Sequence, residues 1–94
     1  MNLNDKLEIP EQVMAREVGD ELVILDLGSG RYFGLDALGA RWWQLIGSGK
    51  NLAESIDVLA AEYEVGRPQL EADLLELADA LAAQNLLTRK SQTR

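Results

Sequence analysis

The stretch Gly30-Arg31-Tyr32-Phe33-Gly34-Leu35-Asp36 divides this chain, because a short aromatic strand signal stops there at a residue type that caps helices. Upstream, apolar residues recur with a period near two; downstream, the period is about 3.6. An α+β fold is expected, in which a three-stranded antiparallel sheet is followed by three helices. A strand at such a seam has a neighbour on one side only, so its other edge is free to hydrogen-bond a second chain.

Residues 1–12 are mixed and polar around an isolated Ile9-Pro10, and read as an N-terminal arm. Val13 to Val18 alternates imperfectly, Gly19-Asp20 supplies a turn, and Glu21 to Asp26 is rich in β-branched and long apolar residues, so these segments predict a hairpin. Leu27-Gly28-Ser29-Gly30 is a second turn signal, and Arg31 to Leu35 completes a meander as its third strand.

Asp36 is placed to cap a first helix, whose stripe of Leu38, Trp42, Leu45 and Ile46 ends at Gly47-Ser48-Gly49. The adjacent Trp42 and Trp43 point about 100° apart on a helix, so Trp42 is expected in the core and Trp43 at an edge or under a strand. Asn51 followed by Glu54 resembles a capping box, with Leu52, Ile56, Leu59, Ala60 and Tyr63 expected on the inward face of a second helix. Gly66-Arg67-Pro68 interrupts the pattern and restarts it, because proline is tolerated in a first helical turn. The third helix then runs to about Gln84. Its Leu70, Leu74, Leu77 and Leu81, widened by Leu75, Ala78 and Ala82, cover a broader arc than one contact needs, enough for a core on one flank and a groove on the other. Asp73, read alone, is a solvated face residue.

Ninety-four residues suffice for one domain with a modest core, assigned to 13–88, with 89–94 left as a basic C-terminal tail. The chain has no His and no Cys, which removes the usual general base, thiol chemistry and the commonest transition-metal ligands. No EF-hand spacing, phosphate-binding glycine loop or triad material is present. Neither catalysis nor a cofactor or metal is expected. Sixteen acids against nine bases give a net charge of −7, and without residues 88–94 six bases face the same sixteen acids, a net −10. Such a body repels the phosphate backbone, so no nucleic-acid partner is expected. With no apolar run approaching the roughly 20 residues that span a bilayer and no signal-peptide pattern, no membrane association is expected and a soluble, cytoplasmic protein is.

The order and spacing of several segments resemble the PqqD-like family over about residues 13 to 88. They are Arg16 with Val18, Glu21 to Leu25, Gly30 to Asp36, Gly39-Ala40-Arg41-Trp42-Trp43, Glu62-Tyr63-Glu64-Val65, Leu70 to Leu74, and Asn85-Leu86-Leu87. The resemblance implies a winged helix-turn-helix-like recognition element for ribosomally made, modified peptides, which binds the leader of a precursor peptide as a strand added to the third strand and lying against the third helix. By position it implies peptide-binding roles for Arg31, Tyr32, Phe33, Gly34 and Leu35, and for Leu70, Asp73, Leu74, Glu76 and Leu77. Gly34 would allow close backbone approach, the leucines would form apolar pockets, and Asp73 or Glu76 would meet a leader hydroxyl or base. Which alternate strand residues face the groove depends on the pleat register.

A free-standing chain of this size is most similar to the members that serve lasso peptide pathways, where a separate leader peptidase and a cyclase complete maturation. The alternative within the family is a PqqD proper that presents a quinone-cofactor precursor to a radical enzyme. Outside it stands a winged-helix DNA regulator, disfavoured because Glu71, Asp73, Glu76 and Asp79 outnumber Arg67 on the third helix. The sequence departs from the family pattern at Gly66-Arg67-Pro68, where an acidic cap followed by proline is common.

Overall fold

Gly19, at φ 64°, occupies a two-residue turn that needs a residue with positive φ, and the strands on either side pair at once through Val18 and Glu21. The computed structural model describes residues 3–89. In chain order the elements are β1 (Leu7–Glu8), β2 (Val13–Val18), β3 (Glu21–Asp26), β4 (Tyr32–Leu35), α1 (Ala37–Gly47), α2 (Leu52–Tyr63), α3 (Arg67–Ala83) and β5 (Thr88–Arg89). The meander read from the sequence is present as an antiparallel sheet of order β2-β3-β4, followed by the three helices.

The turn between β3 and β4 is organised by one buried carboxylate. Asp26 accepts from the Gly28 N–H (2.9 Å) and the Ser29 hydroxyl (2.9 Å), while its own N–H donates to the Arg31 carbonyl (2.8 Å). Each acceptor satisfies a donor that the tight turn leaves without a ladder partner.

Each helix begins and ends for a local reason. Asp36 caps α1 by accepting from the Gly39 N–H at 2.9 Å. Asn51 and Glu54 form a reciprocal capping box on α2, with bonds of 2.8 and 2.9 Å. Glu64 at φ 54° closes α2 in the left-handed region, and Pro68 sits in the first turn of α3. Gln84 ends α3, and Asn85 at φ 62° turns the chain so that Leu86 and Leu87 drop into the core.

Helix α1 packs against β3 and β4, and α2 joins α1 to α3. The core between these layers holds Leu22, Ile24, Leu35, Trp42, Leu45, Ile46, Leu52, Ile56, Leu59, Leu70, Leu74, Ala78 and Leu81. Trp42 is fully enclosed, its indole N–H without an acceptor, so its apolar volume outweighs one unmade hydrogen bond. Trp43, expected at an edge or under a strand, is buried on the helix that packs against β3 and β4. Tyr63, expected inside, instead stands exposed at the last turn of α2.

The segment read as an arm is tied to the domain. Leu7 pairs with Arg89 and Glu8 with Thr88, Leu7 is buried, and the Ala53 N–H donates to the Leu3 carbonyl at 2.9 Å. This pairing spans almost the whole chain, which local sequence patterns do not register. Of the basic tail, Arg89 lies in β5 and residues 90–94 lie outside the described residues.

Two surface ties join the helices. Arg67 bridges Asp57 and Glu71, and its hydrogen bond to Asp57 raises its pKa. Arg41 grips Glu62 through Nε (3.0 Å) and Nη2 (2.8 Å), and that bond holds the Glu62 carboxyl below the usual glutamate range.

Two expected outcomes follow from these local devices. In urea denaturation, Asp26→Ala strips two acceptors from a buried turn and costs about 1–3 kcal/mol, more than Asn51→Ala, which removes one exposed cap worth about 1 kcal/mol. Glu62→Gln lowers the melting temperature slightly at neutral pH, where the depressed carboxyl is ionised in both folded and unfolded chains. The difference closes as the pH falls through the depressed pKa, because protonation then breaks the native pair; a gap that persisted in acid would contradict the assignment.

Candidate functional site

Backbone direction along β3 decides what β4 offers to solvent. The Asp26 N–H points to β4, where it meets Arg31, while the Leu27 N–H points the other way, to the Gln12 carbonyl (2.9 Å). With Ile24 opposite Phe33 and Leu22 opposite Leu35, alternation makes these the hydrogen-bonded pairs of the β3–β4 ladder. The intervening residues, Tyr32 and Gly34, therefore direct their N–H and C=O groups to the opposite edge. No other strand of the described residues pairs there.

The same register sorts the side chains. Phe33 and Leu35 face the core, Leu35 buried and Phe33 half-buried against the core cluster. Tyr32 and Gly34 face outward beside Leu25 and Val23, and Tyr32 is 69% exposed. A Cβ placed on Gly34 would meet nothing within 4 Å, so the fold itself does not exclude a side chain there. Arg31 is exposed just before the strand; its N–H donates to the Ser29 hydroxyl at 3.2 Å.

The helix residues proposed with this strand divide by burial. Leu70 and Leu74 are sealed in the core, at 0% and 2% exposure, and hold α3 in place from beneath. Asp73 and Glu76 are exposed and Leu77 half-buried. Asp73 accepts from Gln69 Nε2 (3.0 Å), one turn earlier on the same helix. The accessible face of α3 thus carries carboxylates beside the rim formed by Leu77, and the apolar pockets expected from Leu70, Leu74 and Leu77 reduce to that rim. A wide leucine band did not distinguish core from rim, because both lie on adjacent helical rows.

The sequence reading passed over the outer face of the sheet. Met14, Val18, Val23 and Leu25 stand there, and its signal was the unbroken Leu22-Val23-Ile24-Leu25 run, which gives β3 apolar residues on both faces. Among the described residues no helix is long and apolar enough to cross a membrane, and no group of three or more acidic side chains is arranged to hold a metal ion.

No curated protein matches the chain. Two solved structures do: TbiB1 in complex with the TbiA(beta) leader peptide, and a lasso peptide synthetase B1 complexed with the leader peptide. The first is 42% identical, with a TM-score of 0.81 over 90% of this chain and 99% of that one. The second is 26% identical, with a TM-score of 0.79 over 87% and 96%. Residues 21–87 match the family model described as coenzyme PQQ synthesis protein D, a span that runs from β3 to the end of the core and includes the free edge of β4. On that match, and on the identity to TbiB1 across nearly the whole chain, the protein belongs to the PqqD family.

Proposed function

We propose that this chain is a peptide-recognition element that binds the leader of a ribosomally made precursor, of the lasso peptide type, as a strand added to the free edge of β4. It then delivers that precursor to a separate leader peptidase and on to a cyclase, and does no chemistry itself. The observation that carries this reading is the unpaired edge of β4 in a fold whose two structural neighbours both hold leader peptides. Backbone bonds to Tyr32 and Gly34 give affinity without regard to sequence, and side-chain contacts give selectivity.

Within this reading, Arg31 to Leu35 form one wall. Asp73, Glu76 and Leu77 form the other, with Leu70 and Leu74 fixing the helix behind them. Leucine accepts an apolar anchor of the leader, and the two carboxylates accept a hydroxyl or a basic group. The similarity to a lasso peptide synthetase B1 favours this pathway over presentation of a quinone precursor to a radical enzyme.

Leader addition at this edge has a residue-specific signature. On titration with a synthetic leader, the amides of Tyr32 and Gly34 gain protection from hydrogen exchange, whereas those of Phe33 and Leu35 are protected beforehand by β3. Gly34→Pro removes the N–H that faces the edge and spares the β3 ladder, as edge strands permit. It is expected to retain cooperative unfolding and to lose leader affinity by about tenfold or more. Undiminished binding by a folded Gly34→Pro chain would place the peptide elsewhere.

A further inference from the structure

The outer face of the meander is a small grid whose rows are set by strand register. Met14, Leu25 and Tyr32 make one row, Arg16, Val23 and Gly34 the next, and Val18 and Glu21 the last, at the hairpin. Met14, Val18, Leu25 and Tyr32 are four of the seven large hydrophobic side chains that stand exposed among the described residues, so the exposed apolar surface is concentrated here. A shallow depression of about 570 Å³ lies over Met14, Arg16, Val23 and Leu25. Contiguous apolar surface of this kind marks interaction sites.

Two charges stand in the grid, and neither is answered within the chain. The side chains of Arg16 and Glu21 make no hydrogen bond or ion pair among the described residues. They sit diagonally on β2 and β3, on either side of a line through Val18, Val23 and Tyr32, and Leu25 and Gly34 flank the same line one step further on. A two-fold axis laid along that line, above the sheet, turns a second copy face down onto the first. Each Arg16 then meets Glu21 of the other copy, and each Leu25 meets Gly34, where no side chain competes for the space. Val18, Val23 and Tyr32 meet their own counterparts, as an isologous contact requires. With strands about 4.8 Å apart and alternate residues about 6.8 Å apart, the two sheets cross at roughly 70°, near the orthogonal class of sheet packing. One base and one acid leave the face itself neutral in a chain of net charge −7. A phosphate-rich or anionic lipid surface answers Arg16 alone and meets the acidic body, whereas a copy of the same face answers both charges and the apolar rows together.

We propose that the outer face of the meander is the interface of a homodimer formed by this two-fold contact. The inference stands apart from the peptide-binding reading. The second copy lies over the face, while the free backbone groups of β4 point along the sheet, so both β4 edges stay open in the dimer. Three strands of four to six residues make a face of about 300 Å² in projection. That is small against the roughly 800 Å² that each partner gives to a standard interface, so the dimer is weak, with a dissociation constant on the order of 10–100 µM.

Sedimentation equilibrium of the purified full-length chain, without any peptide, tests this from about 10 µM to about 1 mM, a range that brackets the expected constant. The unmodified chain is expected to pass from monomer to dimer. Arg16→Glu and Glu21→Arg each change an exposed residue, and circular dichroism melting confirms that each variant is folded. Each is expected to weaken the dimer by about tenfold or more. An effect of net charge alone runs in opposite directions, because Arg16→Glu makes the chain more acidic and Glu21→Arg less so. The exchange Arg16→Glu/Glu21→Arg is expected to restore the dimer, and an equimolar mixture of the two single variants to form a heterodimer where neither associates alone. A monomer at every concentration, a dimer indifferent to both reversals, or a loss that neither the exchange nor the mixture repairs overturns the proposal.

Discussion

Everything that β4 presents depends on the turn built around Asp26. Its carboxylate holds the Gly28 N–H and the Ser29 hydroxyl, and its backbone holds Gly30 and Arg31, so β4 can enter the sheet in one register only. A slip of a single residue would turn Phe33 and Leu35 out of the core and bring Tyr32 and Gly34 in. It would also exchange the amides bonded to β3 for those left at the edge. Burial of Leu35 and the packing of Phe33 enforce the same register from the other side, so turn chemistry and core packing agree.

A chain of this size cannot cover every surface of its sheet. Helix α1 packs under β3 and β4, and β2 has Val13 as its one buried residue. The termini close the far end through β1 and β5, and the buried Leu7, Leu86 and Leu87 extend the core to that closure. Among the described residues, what remains open is the outer edges of β2 and β4, the accessible face of α3 and the outer face of the meander. Acidic groups on α3 keep its open face solvated, whereas the outer sheet face has only Arg16 to do so in its middle row.

Local signals reveal the three strands of the meander and the three helices with their ends. The change of period at Asp36, the capping box at Asn51 and Glu54, and the restart at Pro68 each act within one turn of helix, so a few neighbouring residues reveal them. Features that depend on distant parts of the chain were not visible. The pairing of Leu7 with Arg89 joins opposite ends of the chain, the burial of Trp43 depends on which layer covers it, and the division of the leucines into core and rim depends on how α3 rolls against α2. The pleat of β4 was undetermined from Tyr32-Phe33-Gly34-Leu35 alone, because neither phase places only polar residues outside. The structure resolves it through hydrogen bonds made by Asp26 and Leu27, residues outside the strand itself.

Gly34 brings these levels together. Glycine within a strand costs roughly 0.5–1 kcal/mol relative to alanine, through the backbone freedom lost on folding. The fold does not demand that cost, since a Cβ would meet no atom within 4 Å and the backbone does not lie in the left-handed region. Its amide and carbonyl face the open edge, and it stands opposite the half-buried Val23. A glycine that the folded chain alone could replace is accounted for, on the peptide-binding reading, by the close approach of an incoming backbone at the edge. The pleat makes this possible because it sends the backbone groups of Gly34 sideways, to the edge, while the direction a side chain would take points out of the sheet.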